Sequence, residues 1–161
     1  MEEPLTVPHS RNPISAAIAK LPRGVIHAFT DGSCEGNPGP AGCGVVLIHD
    51  GRKKELSVFI GEGTNNIAEL TAVKLALEAI KKRELPVALY LDSTYVIGTL
   101  TQDWKIKANH ALIAELRDLV RAFPALKINK VNGHANVALN ERADTLARAA
   151  ITQHTRANRL S

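Results

Sequence analysis

Hydrophobic and polar positions change period along this chain, and the changes divide it into short elements. Three strand patterns come first, at about Val25 to Thr30, Gly44 to His49 and Glu55 to Ile60. Asp50-Gly51 joins the second and third and is a two-residue hairpin signal. The segment DGSCEGNPGPAGCG between the first and second is dense in Gly and Pro and reads as a turn-rich loop. These features predict an antiparallel three-stranded meander. From Asn66 to Lys82 the chain switches to closely spaced Ala and Leu with helix formers between them, and Pro86 ends that element. VALYL is a short apolar run typical of a strand buried on both faces. Helical patterns follow at Ser93 to Thr101 and at Ala108 to Phe123, the latter stopped by Pro124. Leu126 to Val131 alternates as a strand, and Leu139 to Gln153 is a last helix. The predicted order is βββαβααβα, an α/β protein with a mixed sheet flanked by helices. Ligands of such sheets bind beyond the carboxyl ends of the parallel strands, which is where Asp92 falls.

Composition adds bounds. A chain of 161 residues fits one domain that buries roughly two-thirds of its unfolded surface. Aromatic residues are scarce, so the core is expected to be Ala, Val, Leu and Ile. Residues 1–22 are rich in Pro, Ser and Asn and read as a flexible N-terminal extension with one short helix. The domain is expected over 23–153, and 154–161 as a basic C-terminal tail. No apolar stretch reaches the length of about 20 residues that a membrane span needs, and the first residues do not form a secretory signal. Cys34 and Cys43 lack metal-type spacing, and without an export signal reduced thiols in the cytoplasm are expected; a monomer is expected as well. The net charge of +4 suits a polyanionic partner and equally a mildly basic soluble protein. The cations are grouped: Arg52, Lys53 and Lys54; Lys81, Lys82 and Arg83; Lys105 and Lys107; Arg156 and Arg159.

Four acids change the picture most. Asp31 ends the first strand pattern, Asp92 ends VALYL, and Glu69 and Asp144 lie early in helical patterns. If those ends converge, four carboxylates share one pocket and cannot all stay ionised without cations between them. That predicts a divalent-metal site acting on phosphates. Each acid also has a plainer local reading. Asp-Gly at 31–32 is a turn pair. Asn66 and Glu69 have capping-box spacing. An acid early in a helix, such as Asp144, is common. Asp92 is the exception, because an acid directly after a buried strand is costly unless paired or metal-bound. Gly32, Gly36 and Gly39, with Ser33 and Asn37, form a loop that can approach a phosphate backbone. Thr64, Asn65 and Asn66 supply donors and acceptors for sugar hydroxyls or base edges. His134 follows Gly133 in what reads as a mobile loop, and histidine titrates near neutrality, which suits proton transfer.

FTDGSCEGNPGPAGCG, TNNIAEL with LALEAI, LDSTYV, and VNGHANVALNERADTLARAA resemble, in that order, the signature segments of type 1 ribonuclease H. The resemblance runs from about Gly24 to Ala150. It implies the ribonuclease H-like fold, a five-stranded mixed sheet with strands one to three antiparallel. It also implies a metal-dependent endonuclease that hydrolyses the RNA strand of RNA/DNA hybrids. By position, Asp31, Glu69, Asp92 and Asp144 match the metal-binding carboxylates, and His134 matches the family's mobile-loop histidine. Asn37, Asn65 and Asn66 match residues at the hybrid's minor groove, where 2′-hydroxyls are displayed. Cys34 matches a DNA-strand contact, and Thr64 and Asn109 match parts of a pocket for a DNA phosphate. The resemblance implies two Mg²⁺ ions about 4 Å apart, with Mn²⁺ as a substitute, serving in-line attack of water that leaves 5′-phosphate and 3′-hydroxyl ends.

The chain departs from the family pattern in three places. Only DWKIKAN links the two helices where the best-known pattern has a basic, Trp-rich protrusion; either Trp104, Lys105 and Lys107 are its residue, or Trp104 simply packs. Glu62 stands where relatives often have Arg, which weakens phosphate binding. Thr94 replaces a Gln and removes an amide contact with the substrate. Other readings are a related nuclease preferring double-stranded RNA, and a non-catalytic nucleic-acid-binding module.

Overall fold

The computed structural model describes residues 12–102 and 105–160. The first eleven residues of the extension and Trp104 lie outside the described residues. The elements are α1 (Pro13–Ala19), β1 (Ile26–Cys34), β2 (Gly39–His49), β3 (Arg52–Gly63), α2 (Asn65–Ala79), β4 (Val87–Leu91), α3 (Thr94–Thr101), α4 (His110–Arg121), β5 (Leu126–Lys130) and α5 (His134–Leu160). They build one five-stranded sheet in the order β3-β2-β1-β4-β5. β1, β2 and β3 pair antiparallel, whereas β4 pairs parallel with both β1 and β5. This is the mixed sheet expected from the sequence.

Helices cover both faces. Ile26, Ala28, Val45 and Leu47 point to the face packed by Leu70, Val73 and Leu77 of α2 and by Ile113 and Leu116 of α4. Phe29, Val46 and Ile48, on the alternate parity, meet Leu139, Ala143 and Leu146 of α5. Asp31 shares its parity with Phe29 and so faces the α5 side. His27 is buried and has partners at both ring nitrogens, Nε2 lying 2.9 Å from the Pro22 carbonyl oxygen and Nδ1 3.3 Å from the Tyr90 hydroxyl. Among the described residues no helix is long and apolar enough to cross a membrane.

The strands are longer than their hydrophobic patterns. The Gly- and Pro-rich segment is mostly ladder, since Asp31 pairs with Gly44 and Cys34 with Ala41. Only residues 35–38 turn. Backbone hydrogen bonds carry β1 and β2 past the apolar residues, and a pattern based on side chains misses them. The Asp50-Gly51 hairpin forms as expected, with φ of 49° and 82°. α5 is much longer than predicted, because no Gly or Pro interrupts 134–160 and the polar ends carry no apolar stripe to read. The short helix expected in the extension is α1, where Asn12 Oδ1 accepts from the Ile14 amide at 2.9 Å. It is not loosely attached: Ile14, Ala17 and Ile18 pack into the α5-side cluster, an apolar face too small for the sequence pattern to reveal.

Two glycines set how closely α5 approaches. A Cβ at Gly44 would fall on the Ala143 carbonyl, and one at Gly42 on the Ala147 carbonyl. Ser57 Oγ donates to the Leu146 carbonyl at 2.7 Å, and Arg142 makes a bidentate pair with Glu55 at 2.7 and 2.8 Å. Arg142, close by, holds the Glu55 carboxyl below its ordinary range.

Gly44→Ala should therefore destabilise the protein by about 2 kcal/mol or more, because helix backbone cannot yield as a side chain would; urea unfolding reads this directly. Glu55→Gln should cost about 1 kcal/mol at pH 7. Since the folded carboxyl titrates below its unfolded value, that stability is present above the unfolded range and is lost as pH falls through the folded one. The wild-type advantage should vanish at low pH, and an undiminished advantage there would refute the ion pair.

Candidate active site

Two close backbone approaches assemble the carboxylates. Gly32 lies directly against the Ala68–Glu69 peptide of α2, where no Cβ fits. On the other face, Gly42 and Gly44 admit the backbone of α5 around Asp144. Asp31, between these contacts on β1, stands beside Glu69 and within reach of the Asp144 charge. Glu69 in turn feels the charges of Asp31 and Asp92. The four acids, dispersed in sequence, are electrostatically linked in the fold.

Burial raises the Asp31 carboxyl above its usual range, and the Asp144 charge adds to the rise, against opposing hydrogen bonds from Glu69 and the Gly32 amide. Glu69 is raised further, first by burial and then by its hydrogen bond to Asp31 and that group's charge. Two carboxylates joined this way hold a proton between them unless a cation replaces it. Beneath them the Cys43 thiol is pushed up to about 12 by burial and by the charges of Glu69 and Asp31, and it donates to the Ala68 carbonyl at 3.3 Å.

The outer two acids engage protein cations. Asp92 lies 3.7 Å from Lys130 Nζ, and Asp144 lies 3.0 Å from Arg148. Among the described residues, no three His, Cys, Asp or Glu side chains close into a ready metal cage. The donor set nevertheless fits hard divalent cations, being all carboxylate oxygen with two members competing for a proton.

Several local expectations change. The Glu69 capping box is absent: Thr64 caps α2, its Oγ1 accepting from the Ile67 amide at 3.2 Å, which puts Glu69 in the second turn. Asp92 is not buried. Its side chain is 70% exposed, because the chain leaves the sheet immediately after Leu91. The desolvation argument for it therefore fails, and its proximity to Glu69 remains. His134 is not in a loop but is the exposed first residue of α5. The ten residues from His134 to Asp144 span about 15 Å of helix, so the histidine stands apart from the carboxylates.

The remaining polar residues fall around the same end of the sheet. Cys34 Sγ donates to the Gly36 and Gly63 carbonyls at 2.7 and 3.3 Å. Asn37 Oδ1 accepts from the Asn65 amide at 3.0 Å, tying the β1–β2 turn to the start of α2. Asn66 lines a small cavity of about 170 Å³ with Tyr95, Lys105 and Lys107. Asn109 has a left-handed backbone, and its Nδ2 donates to the Tyr95 hydroxyl at 3.4 Å. Thr64 is not among that cavity's lining, and Thr94 opens α3 exposed to solvent. Sequence reading missed Lys130, Arg148 and Asn140, whose Nδ2 donates to the Thr30 carbonyl at 3.2 Å. The Asp144–Arg148 spacing of four was a legible ion-pair signal. Nothing local announced the other two.

Known proteins resemble this chain in sequence and in fold. A model of the ribonuclease H (RNase H) family matches residues 23–152. The ribonuclease H of Desulforamulus reducens is 41% identical over 141 residues, covering 80% of this chain and 88% of the relative. That of Halorhodospira halophila is 42% identical over 144 residues, with 81% and 95% covered. Among solved structures, RNase H1 from the archaeon Halobacterium salinarum superposes with a TM-score of 0.71 at 37% identity, covering 81% of this chain and 99% of that one. LC11-RNase H1, isolated from compost by a metagenomic approach and solved in complex with an RNA/DNA hybrid, gives 0.70 at 31% identity, with 81% and 99% covered. With the family model spanning residues 23–152 and relatives at about 40% identity over most of the chain, the chain belongs to the ribonuclease H family.

Proposed function

We propose that this protein is an endoribonuclease that hydrolyses the RNA strand of RNA/DNA hybrids at the cluster of Asp31, Glu69, Asp92 and Asp144. The observation that carries the reading is the close backbone contact of Gly32 with Ala68–Glu69, which crowds the Asp31 and Glu69 carboxylates at the sheet end with the other two acids within electrostatic reach. These four would hold divalent metal ions, Mg²⁺ or in its place Mn²⁺. When bound, such ions supply charge neutralisation at the scissile phosphate and activation of the attacking water, leaving 5′-phosphate and 3′-hydroxyl ends.

The chain's own residues do the rest. Asp31 and Glu69 would hold the cations as carboxylates, giving up the proton that their crowding favours in the empty site. Lys130 and Arg148, which engage Asp92 and Asp144, restrain those side chains before substrate arrives. Asn37, Asn65 and Asn66, joined through the Asn37–Asn65 hydrogen bond, present amide groups to minor-groove 2′-hydroxyls, so a DNA strand in the cut position loses partners. Cys34 and Thr94 flank that track. Thr64 and Asn109 contribute to holding a DNA-strand phosphate. His134, well away from the carboxylates, exchanges protons with solvent and aids product departure. The same reading places the enzyme in the cytoplasm as a monomer, with Cys34 and Cys43 as the free thiols they are here.

Incubation with labelled RNA/DNA hybrid, double-stranded RNA and double-stranded DNA tests the proposal. Hybrid cleavage should require Mg²⁺ or Mn²⁺, stop in EDTA, and be lost in Asp31→Asn and Asp92→Asn. Equal activity in the variants, or preference for double-stranded RNA, would sink it. The charge argument makes a separate demand. The raised acids favour the folded state at pH below the ordinary carboxylate range, and that contribution is lost as pH rises through their folded values. In EDTA at pH 7, Asp31→Asn should therefore raise the melting temperature by about 3 °C, equivalent to about 1 kcal/mol, and Mg²⁺ should stabilise wild type more than the variant. His134→Ala should lower turnover about tenfold while leaving metal dependence intact; undiminished turnover would remove it from proton transfer.

A further inference from the structure

α5 does not stop at the active site. It continues from Asp144 to Leu160 without a break. At 100° per residue, Arg148, Thr152, Thr155 and Arg159 fall within a quarter-turn of the direction of Asp144, and Arg156 lies just beside them. Arg148, Thr152, Arg156 and Arg159 are exposed.

This end of the helix is fixed to the sheet. Phe59 of β3 stacks on His154 with ring centroids 3.7 Å apart and planes within 9°. Arg159, Thr155 and His154 share a cleft of about 380 Å³ with Pro40, Phe59 and Glu62. A second cleft, of about 280 Å³, lies between Glu35 of the β1–β2 turn and Thr152, Thr155, Arg156 and Arg159. The arginines therefore stand beside the turn that carries Cys34 and Asn37. Neither Arg156 nor Arg159 is in an ion pair among the described residues, and the acids facing them are Glu35 and Glu62. The fifteen residues from Asp144 to Arg159 span about 22 Å, roughly six nucleotides of one strand.

We infer that Arg156 and Arg159 form a second grip on the phosphate backbone of the bound hybrid, extending the substrate track from the carboxylates along α5 and past the β1–β2 turn. The inference rests on the hybrid-cleavage reading. Charge complementarity and continuity with the active-site face select the occupant: a row of arginines in register with a polyanion that already crosses Asp144. Glu35 opposes the grip by facing the same cleft, and so tunes its strength.

The test compares wild type with the Arg156→Ala/Arg159→Ala double variant, measuring hybrid binding by fluorescence anisotropy in EDTA and cleavage kinetics in Mg²⁺. For a hybrid of about 18 base pairs the variant should bind several-fold more weakly, with the slope of log K against log salt shallower by about 1 to 2. In cleavage the loss should fall on KM more than on kcat, and a hybrid of about 6 base pairs should lose less, because a cut inside it leaves fewer than about six nucleotides on either side, short of the distance to Arg159. Arg156→Lys/Arg159→Lys should restore most of the affinity, which a packing role would not predict. Glu35→Gln should tighten binding of the long hybrid. Unchanged affinity and salt slope in the alanine variant, or no tightening by Glu35→Gln, overturns the grip while leaving hybrid cleavage standing. Absence of hybrid cleavage by wild type overturns the functional reading instead, and the salt slope still decides whether these arginines bind nucleic acid.

Discussion

The packing of helix backbone directly onto strand backbone is the constraint on which this structure depends. Gly32 lets α2 sit on β1, and Gly42 and Gly44 let α5 sit on β2, in each case with no side chain between. An ordinary helix–sheet contact keeps a layer of side chains between the two, and carboxylates projecting from the two layers would then be too far apart to share a cation. Removing that layer at three positions brings Glu69 and Asp144 to Asp31 from opposite faces of the sheet. The same approach squeezes water from around the inner pair, which is why burial is the largest cause of the upward shift at both Asp31 and Glu69.

The site is therefore assembled against its own electrostatics, and the surroundings supply the compensation. A closely packed aliphatic core on both sheet faces holds the elements in place. The Glu55–Arg142 pair and the Ser57–Leu146 hydrogen bond clamp α5 on either side of Asp144. Lys130 and Arg148 engage the outer acids, whose charges still add to the rise at Asp31 and Glu69. Cys43, directly below, is an inert filler whose pKa is raised first by its own burial and then by the charges above it.

Much of this was legible in sequence because it is local. Alternation, a helix-length run of Ala and Leu, and Asp-Gly at a hairpin each report one element, and the order of motifs reported the family. What was illegible depends on partners distant in the chain. The ladder through Gly39–Gly44 follows from pairing with β1, so its Gly and Pro content suggested a loop. The polar ends of α5 have no stripe to read, so a continuous helix looked like a shorter one, and His134 looked like a loop residue. Asp92 misled for the opposite reason: its apolar neighbours suggested burial, but the strand ends just before it. The Thr64 cap shows the limit of spacing rules, since Asn66 and Glu69 satisfy the motif and the backbone starts its helix two residues earlier.

The length of α5 has one more consequence. As a single helix of 27 residues it is a rod about 40 Å long. It is pinned near its middle by the glycine contacts and at its far end by the Phe59–His154 stack. His134 sits at one tip, Asp144 beside the glycine contacts and Arg159 at the other tip. A rod held at two points along its length cannot pivot about either, so its direction is fixed as firmly as its position. The molecule thereby aims one carboxylate with a lever whose handle is bolted to the sheet edge about 15 Å away.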